Sequence, residues 1–169
     1  ETDDLQLLYL DPFQTYLTPL VARSMYNSLQ FQRRVFEWTP YDKLIVLMTD
    51  LSDYGNAGAG SSPHNGITLY VAPPSRTLET MPSSERMYTL ANHETVHIAN
   101  GDVANSRDLR WRRFFGGKPP PTDEHPETIL YNYLTVPRYS APRWYFEGAA
   151  VFMETWMAGG LGRAQSAYD

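Results

Sequence analysis

Residues 93–97 read His93-Glu94-Thr95-Val96-His97, within a segment whose apolar residues recur at helical spacing over positions 85–100. Residues four apart lie one turn apart on the same helix face, so both imidazoles point the same way. Two imidazoles so placed can bind one Zn2+ ion, and Glu94 beside them can take a proton from a metal-activated water. The pattern predicts a helix with a zinc site on one face.

The same five residues also have a plainer interpretation. Both histidines can lie on a solvated helix surface, where Glu94 pairs with His97 one turn along. Two of the chain's four histidines fall in the motif, which favours the metal site.

A catalytic zinc ion needs a third protein ligand and an open position. Positions 100 and 103 are Asn100 and Val103, so the Gly and His of the metzincin continuation are absent. The remaining candidates are the acids and the histidine further along the chain: Asp123, Glu124, His125, Glu127, Glu147 and Glu154.

Glu147 is the favoured third ligand because it lies inside a second predicted helix, residues 142–157. The small residues that follow it, at 148–150, allow this helix to approach the first one closely. Glu154, two turns on, has two open interpretations. It either orients a ligand imidazole or is an ordinary solvent-exposed glutamate.

The rest of the chain predicts an α+β fold with a small mixed sheet. Its predicted elements are strands at 5–10, 42–49 and 67–71, helices at 19–38 and 128–134, and loops at 50–66 and 102–126. The unbroken apolar run at 44–48 predicts a strand buried on both faces, and Pro73-Pro74 predicts that strand 67–71 lies at the sheet edge. We expect that edge strand to pack on the helix carrying residues 93–97.

Length and composition limit the class of protein. The 169 residues, 42% of them hydrophobic, fit a single domain over residues 1–169. A net charge of -5 argues against a nucleic-acid partner, and the absence of cysteine excludes disulfides and thiolate ligands. No apolar stretch is long enough for a transmembrane segment. Because the first residue is Glu1, we expect a processed or cut N-terminus.

Four arginines crowd one short stretch: Arg107, Arg110, Arg112 and Arg113. They either form a solvated face that pairs with Asp102 and Asp108, or dock an anionic partner.

Residues 93–97, followed by the aromatic-rich WYFEGAA at 144–150, resemble the gluzincin (peptidase MA-like) metallopeptidases. Members of that family carry HExxH and then a helix that supplies a glutamate as third ligand. The resemblance implies a zincin-like fold, Zn2+ bound by His93, His97 and Glu147, and Glu94 as general base. It also implies a chain that continues past residue 169, with possible further domains, and an extracytoplasmic, periplasmic or secreted, location.

The function expected on this basis is a zinc metallopeptidase that hydrolyses peptide bonds of a peptide or protein substrate by a metal-activated water. The alternative is a catalytically inactive zinc-binding scaffold or assembly module of a larger envelope protein. Strand 67–71 can pair with an extended peptide. The oxyanion needs a further donor, and the candidates are Tyr131, Tyr133, Tyr139, Tyr145, Tyr168 and Arg143.

Overall fold

The computed structural model describes residues 1–53, 55–72, 86–135 and 141–157. Within them lie four strands and five helices. The strands are β1 (Leu5–Leu8), β2 (Leu44–Thr49), β3 (Asn56–Gly60) and β4 (Gly66–Tyr70). The helices are α1 (Thr18–Val35), α2 (Arg86–Asp102), α3 (Ser106–Phe114), α4 (Glu127–Leu134) and α5 (Arg143–Met157). The predicted mixed α+β class is confirmed.

The strands form one mixed sheet in the order β1-β2-β4-β3. β1, β2 and β4 are parallel, and β3 runs antiparallel to β4. β4 is therefore an inner strand, and the prediction that strand 67–71 forms the edge is wrong. The edge strands of the described sheet are β1 and β3, and β3 lies within the segment predicted to be a loop.

β3 escaped prediction because its sequence, Asn-Ala-Gly-Ala-Gly, is poor in the β-branched and aromatic residues that favour strands. Pairing with β4 along all five residues outweighs that weak local preference. A faint period-two signal is present nonetheless. Ala57 and Ala59 are half-buried against the core, while Asn56, Gly58 and Gly60 are exposed.

β2 is buried on one face, not on both as predicted. Leu44, Val46 and Met48 join a core cluster with residues of α1 and α2. The alternate residues face the other way, and Leu47 is 44% exposed. In the described part of the chain, helices thus cover the face of the sheet that includes Val46, which leaves Leu47 toward solvent.

The segment 102–126 is not the continuous loop that was predicted, because it contains α3. The Asn105 side chain accepts hydrogen bonds from the backbone N–H of Arg107 and Asp108, and the Asp108 carboxylate accepts one from the Asn105 backbone N–H. This reciprocal capping box starts the helix. The signal was present in the sequence but was obscured by the arginines and the prolines that follow.

The arginine cluster divides between the interior and the surface. Arg112 pairs with Asp102 at 3.0 Å, the partner that the solvated-face interpretation expects. However, Arg112 is buried, whereas that interpretation expects it to face solvent. Arg107, Arg110 and Arg113 are exposed on α3. Asp108 is used in the capping box.

A buried polar network closes the C-terminal end of α2. Its centre is the Asp102 carboxylate, which is fully buried. The donors to this carboxylate are Trp38 Nε1 at 3.0 Å, the Tyr41 backbone N–H at 2.8 Å, Asn65 Nδ2 at 3.0 Å, Arg112 Nη1 at 3.0 Å and Lys118 Nζ at 2.7 Å. The network joins the end of α2 to α3, to the start of β2 and to the turn between β3 and β4.

Of the helices described, none has both the length and the hydropathy that crossing a bilayer requires.

Candidate metal centre

The predicted motif helix is confirmed as α2, and most of its surface is buried. Leu90, Ala91 and Ile98 belong to the main core cluster, while Val96 packs against Ala150 of α5. These contacts fix the rotation of α2 about its axis. The face that carries residues 93 and 97 then lies against a cavity instead of the sheet.

Three potential ligand atoms from α2 and α5 converge beside this cavity. The Nε2 atoms of His93 and His97 are 3.1 Å apart. Glu147 Oε2 lies 3.4 Å from the first and 3.7 Å from the second. A triangle of this size has a point about 2.0 Å from every corner, close to the distance at which zinc binds imidazole and carboxylate ligands. In the part of the chain that the structure describes, this is a group that could bind a metal ion.

Glu154 fixes the orientation of one imidazole. Its Oε2 atom is 2.8 Å from His93 Nδ1, and the residue is only 2% exposed. When Nδ1–H donates a hydrogen bond to this carboxylate, Nε2 of the neutral ring is left unprotonated and able to bind a metal. The solvent-exposed interpretation of Glu154 is therefore wrong.

The electrostatic surroundings of His97 favour its neutral form. Burial lowers the pKa of His97 and the neighbouring His93 lowers it further, while Glu147 opposes them. A neutral imidazole is the form that binds metal, so the lowered pKa favours the metal-binding form of His97 at neutral pH.

Helix α5 places Glu147 by packing against α2 through Ala150 and Met153, which contact Val96. The expected role of small residues holds for Ala150, which is fully buried. It does not hold for Gly148, since a methyl group added there would meet nothing within 4 Å. Ala149 is half-buried and packs against the same cluster, so the close approach of the two helices depends on these two alanines.

The cavity beside the three ligand atoms has a volume of about 670 Å3. One wall is β3 with Ser61, and the floor is α2, including Glu94 and Gly101. The opposite wall comes from the start of α5, with Arg143 and Phe146. Glu94 is itself buried and lines the cavity next to His93 and His97.

Gly101 is required where α2 meets the turn after β3. A methyl group on Gly101 would lie 2.1 Å from Ser61 Oγ, far inside van der Waals contact. The absent side chain lets the end of β3 lie against α2, which holds the edge strand beside His93 and His97.

The other candidate ligands lie elsewhere. Asp123, Glu124, His125 and Glu127 are exposed around the start of α4, where His125 Nδ1 is 3.2 Å from Glu127 Oε1. They do not belong to the convergent group.

Among the oxyanion-donor candidates, Tyr131 is buried against Phe115, and Tyr133 and Tyr145 are exposed. Tyr139 and Tyr168 lie outside the described residues. Arg143 is the candidate that lines the cavity.

Sequence reasoning missed the wall formed by residues 56–60. These residues were assigned to a glycine loop, and their role in the cavity follows only from pairing with β4. The alternation of Ala and Gly was the one available signal.

The His93–Glu154 contact predicts a measurable effect on metal affinity. We expect Glu154→Gln to weaken zinc binding by about 10–100-fold, because the amide holds the imidazole less strongly and lowers its basicity. Competition with a chromophoric chelator measures this directly. Glu124→Gln, which removes an exposed carboxylate, is the matched control. Equal affinities in the two variants would contradict the role given to Glu154.

Comparison of the protein with models of protein families, with curated proteins and with solved structures finds no match.

Proposed function

We propose that this protein is a zinc-dependent peptidase with a zincin-like arrangement of the gluzincin type. The observation that carries the proposal is the convergence of His93 Nε2, His97 Nε2 and Glu147 Oε2 at the wall of a cavity that also holds Glu94. The alternative of an ordinary surface histidine pair explains neither the approach of Glu147 from α5 nor the contact of the Glu154 carboxylate with His93 Nδ1.

The donor set suits Zn2+. Two imidazoles and one carboxylate are a common ligand set of catalytic zinc, which keeps a further position open for water or substrate. Glu147 is half-exposed on the cavity side, so the site is accessible from the cavity. When bound, the ion supplies Lewis acidity, which acidifies water and polarises a carbonyl group.

Glu94 is the proposed general base. It directly follows His93 on α2, lines the cavity and does not belong to the ligand group. Its carboxylate takes the proton of the attacking water and then delivers it to the leaving amine nitrogen, so that one group acts first as base and then as acid.

β3 is the proposed binding edge for the substrate. It pairs with β4 on one side, and none of the other described strands pairs with its outer side, so an added strand can reach the backbone there. An extended peptide can add to such an edge by main-chain hydrogen bonds. Gly58 and Gly60 offer no side chains that would obstruct it. β3 thus takes the peptide-pairing role that was predicted for strand 67–71.

Metal content tests the proposal. We expect about one zinc ion per chain by mass spectrometry after purification without a metal-affinity step, as a single His2Glu site requires. His93→Ala removes a ligand and should abolish stoichiometric zinc. Glu147→Ala should weaken binding by more than the about 10–100-fold expected for a residue that only orients a ligand.

Glu124→Ala is the control, since Glu124 was also a candidate ligand by sequence and is exposed outside the site. It should keep the zinc of the parent protein. Absence of zinc from the parent, even after zinc is added back, would overturn the proposal.

A further inference from the structure

Arg143 occupies an unusual place for an arginine. It is the first residue of α5 and lines the cavity beside the metal-binding group. Its side chain is 92% exposed, so it is not held by packing. Among the described residues that line the cavity it is the one arginine, and lysine is absent from that lining.

Local energetics do not explain an arginine at this position. A cation in the first turn of a helix is disfavoured by the positive end of the helix dipole. Its side chain pairs with Glu147, four residues later, with 3.6 Å between Nε and Oε1. An exposed pair with the cation on the N-terminal side is the weaker order of such pairs. The contact also leaves the terminal amino groups of the guanidinium available for a ligand.

The distance from Arg143 to the metal-binding group matches the spacing of a peptide. The guanidinium approaches Oε1 of Glu147, and Oε2 of the same carboxylate is the potential ligand atom. This places the guanidinium within about one to two residues of an extended chain, at about 3.3 Å per residue, from the site of hydrolysis.

The facing wall contributes no charge of its own. β3 presents Asn, Ala and Gly side chains, and Ser61 follows. Under the proposed function, the Glu94 carboxylate acts as the base and the Glu147 carboxylate binds the metal. Charge selectivity for the substrate in this cavity therefore depends on Arg143.

We propose that Arg143 selects substrates that carry a carboxylate one or two residues from the scissile bond. This inference rests on the proposed function. A guanidinium binds carboxylate through two parallel N–H···O bonds, which gives both affinity and orientation. The carboxylate can belong to an Asp or Glu side chain or to a free C-terminus, and the two sources are separable by experiment.

The test measures peptide binding without turnover, using zinc-loaded Glu94→Gln protein and fluorescence anisotropy. The first arm uses amide-capped, fluorescein-labelled hexapeptides that carry a single Glu at each position in turn. Each Glu peptide is compared with the matching Gln peptide. The second arm compares the neutral peptide bearing a free C-terminus with its amide. We expect the carboxylate to strengthen binding by about tenfold in one arm. Adding Arg143→Gln should remove that preference, and Arg143→Lys should retain part of it.

Arg110→Gln is the matched control, because it removes one exposed arginine from α3, outside the cavity lining. It should leave the preference intact. Zinc affinity of the Arg143→Gln protein should stay within about twofold of the parent, since an exposed pair of this kind is weak.

Three outcomes would overturn the assignment of Arg143. The first is a carboxylate preference that persists in Arg143→Gln, and the second is a protein with Arg143 intact that shows no preference in either arm. The third is an Arg143→Gln protein that binds all peptides equally weakly and has also lost its zinc. The last would make Arg143 a positioning residue for Glu147. Zinc content is measured on the same samples, so a failure of the proposed metal site is recognised separately.

Discussion

Glu94→Gln should abolish peptide hydrolysis while the protein keeps its zinc. Loss of a general base costs about 10²–10⁴-fold in rate, and the amide cannot accept the proton of the attacking water. Zinc should remain because Glu94 lies outside the convergent group of His93, His97 and Glu147. Hydrolysis of a quenched-fluorescence peptide library and metal analysis of the same sample measure both effects.

Glu124→Gln serves as the control for the loss of one carboxylate, and it should match the parent in both measurements. Undiminished hydrolysis by Glu94→Gln would remove Glu94 from the role of base. A parent protein that binds stoichiometric zinc but cleaves nothing in the library would favour the alternative, an inactive zinc-binding scaffold, over the peptidase.

The second large effect is on stability and concerns Asp102, which has a structural role in the buried polar network and none in the proposed reaction. We expect Asp102→Asn to lower the free energy of unfolding by about 3–5 kcal/mol, the range for breaking a buried ion pair. Lys118 keeps Asp42 as a partner at 2.8 Å, but Arg112 loses its carboxylate and retains the Asp102 backbone oxygen at 3.0 Å. Urea denaturation followed by tryptophan fluorescence measures the change.

The double variant Asp102→Asn with Arg112→Met makes this test specific. Removing the uncompensated cation should recover part of the loss, because the cost comes from a buried charge without a partner. A double variant that is no more stable than Asp102→Asn alone would contradict this explanation. Arg107→Met, an exposed substitution on the same helix, should change stability little.

The pH dependence of stability follows from the same carboxylate. Burial alone raises the pKa of Asp102, but the charge and hydrogen bond of Lys118, with the Tyr41 and Asn65 donors, lower it below its ordinary value. A group with a lowered pKa in the folded state stabilises the fold above its unfolded pKa, and this contribution is lost as pH falls through the folded value. The Asp102→Asn protein should therefore lose less stability than the parent on acidification through that range.

The sequence predicted the helices of the site more accurately than the sheet. Helical periodicity and the cap and stop signals located α2 and α5, because those signals act within a few residues. Whether β3 or β4 lies at the edge of the sheet depends on which strands pair, and local sequence patterns do not contain that information. The strand over 56–60 exists because β4 accepts it as a partner, and its own residues favour a strand only weakly.

The candidate site shows the same division. The i, i+4 spacing placed His93 and His97 together, and Glu147 was chosen for its helix. The convergence of the three ligand atoms depends on how Val96 packs on Ala150, which a sequence does not display. The buried contact of Glu154 with His93 could not be predicted either, since a glutamate two turns along a helix can face either solvent or a neighbouring helix.

Sheet edges usually carry a lysine, a proline or a bulge, because an unprotected edge can pair with the edge of any other molecule. β3 has none of these, and its sequence contains only asparagine, alanine and glycine. Its protection is steric, since α2 and the start of α5 border the cavity along the strand. A single extended chain fits such a slot more readily than a second sheet does. Under the proposed function, the shape of the cavity thus admits one peptide but hinders self-association through β3, so substitutions that widen the cavity should promote aggregation.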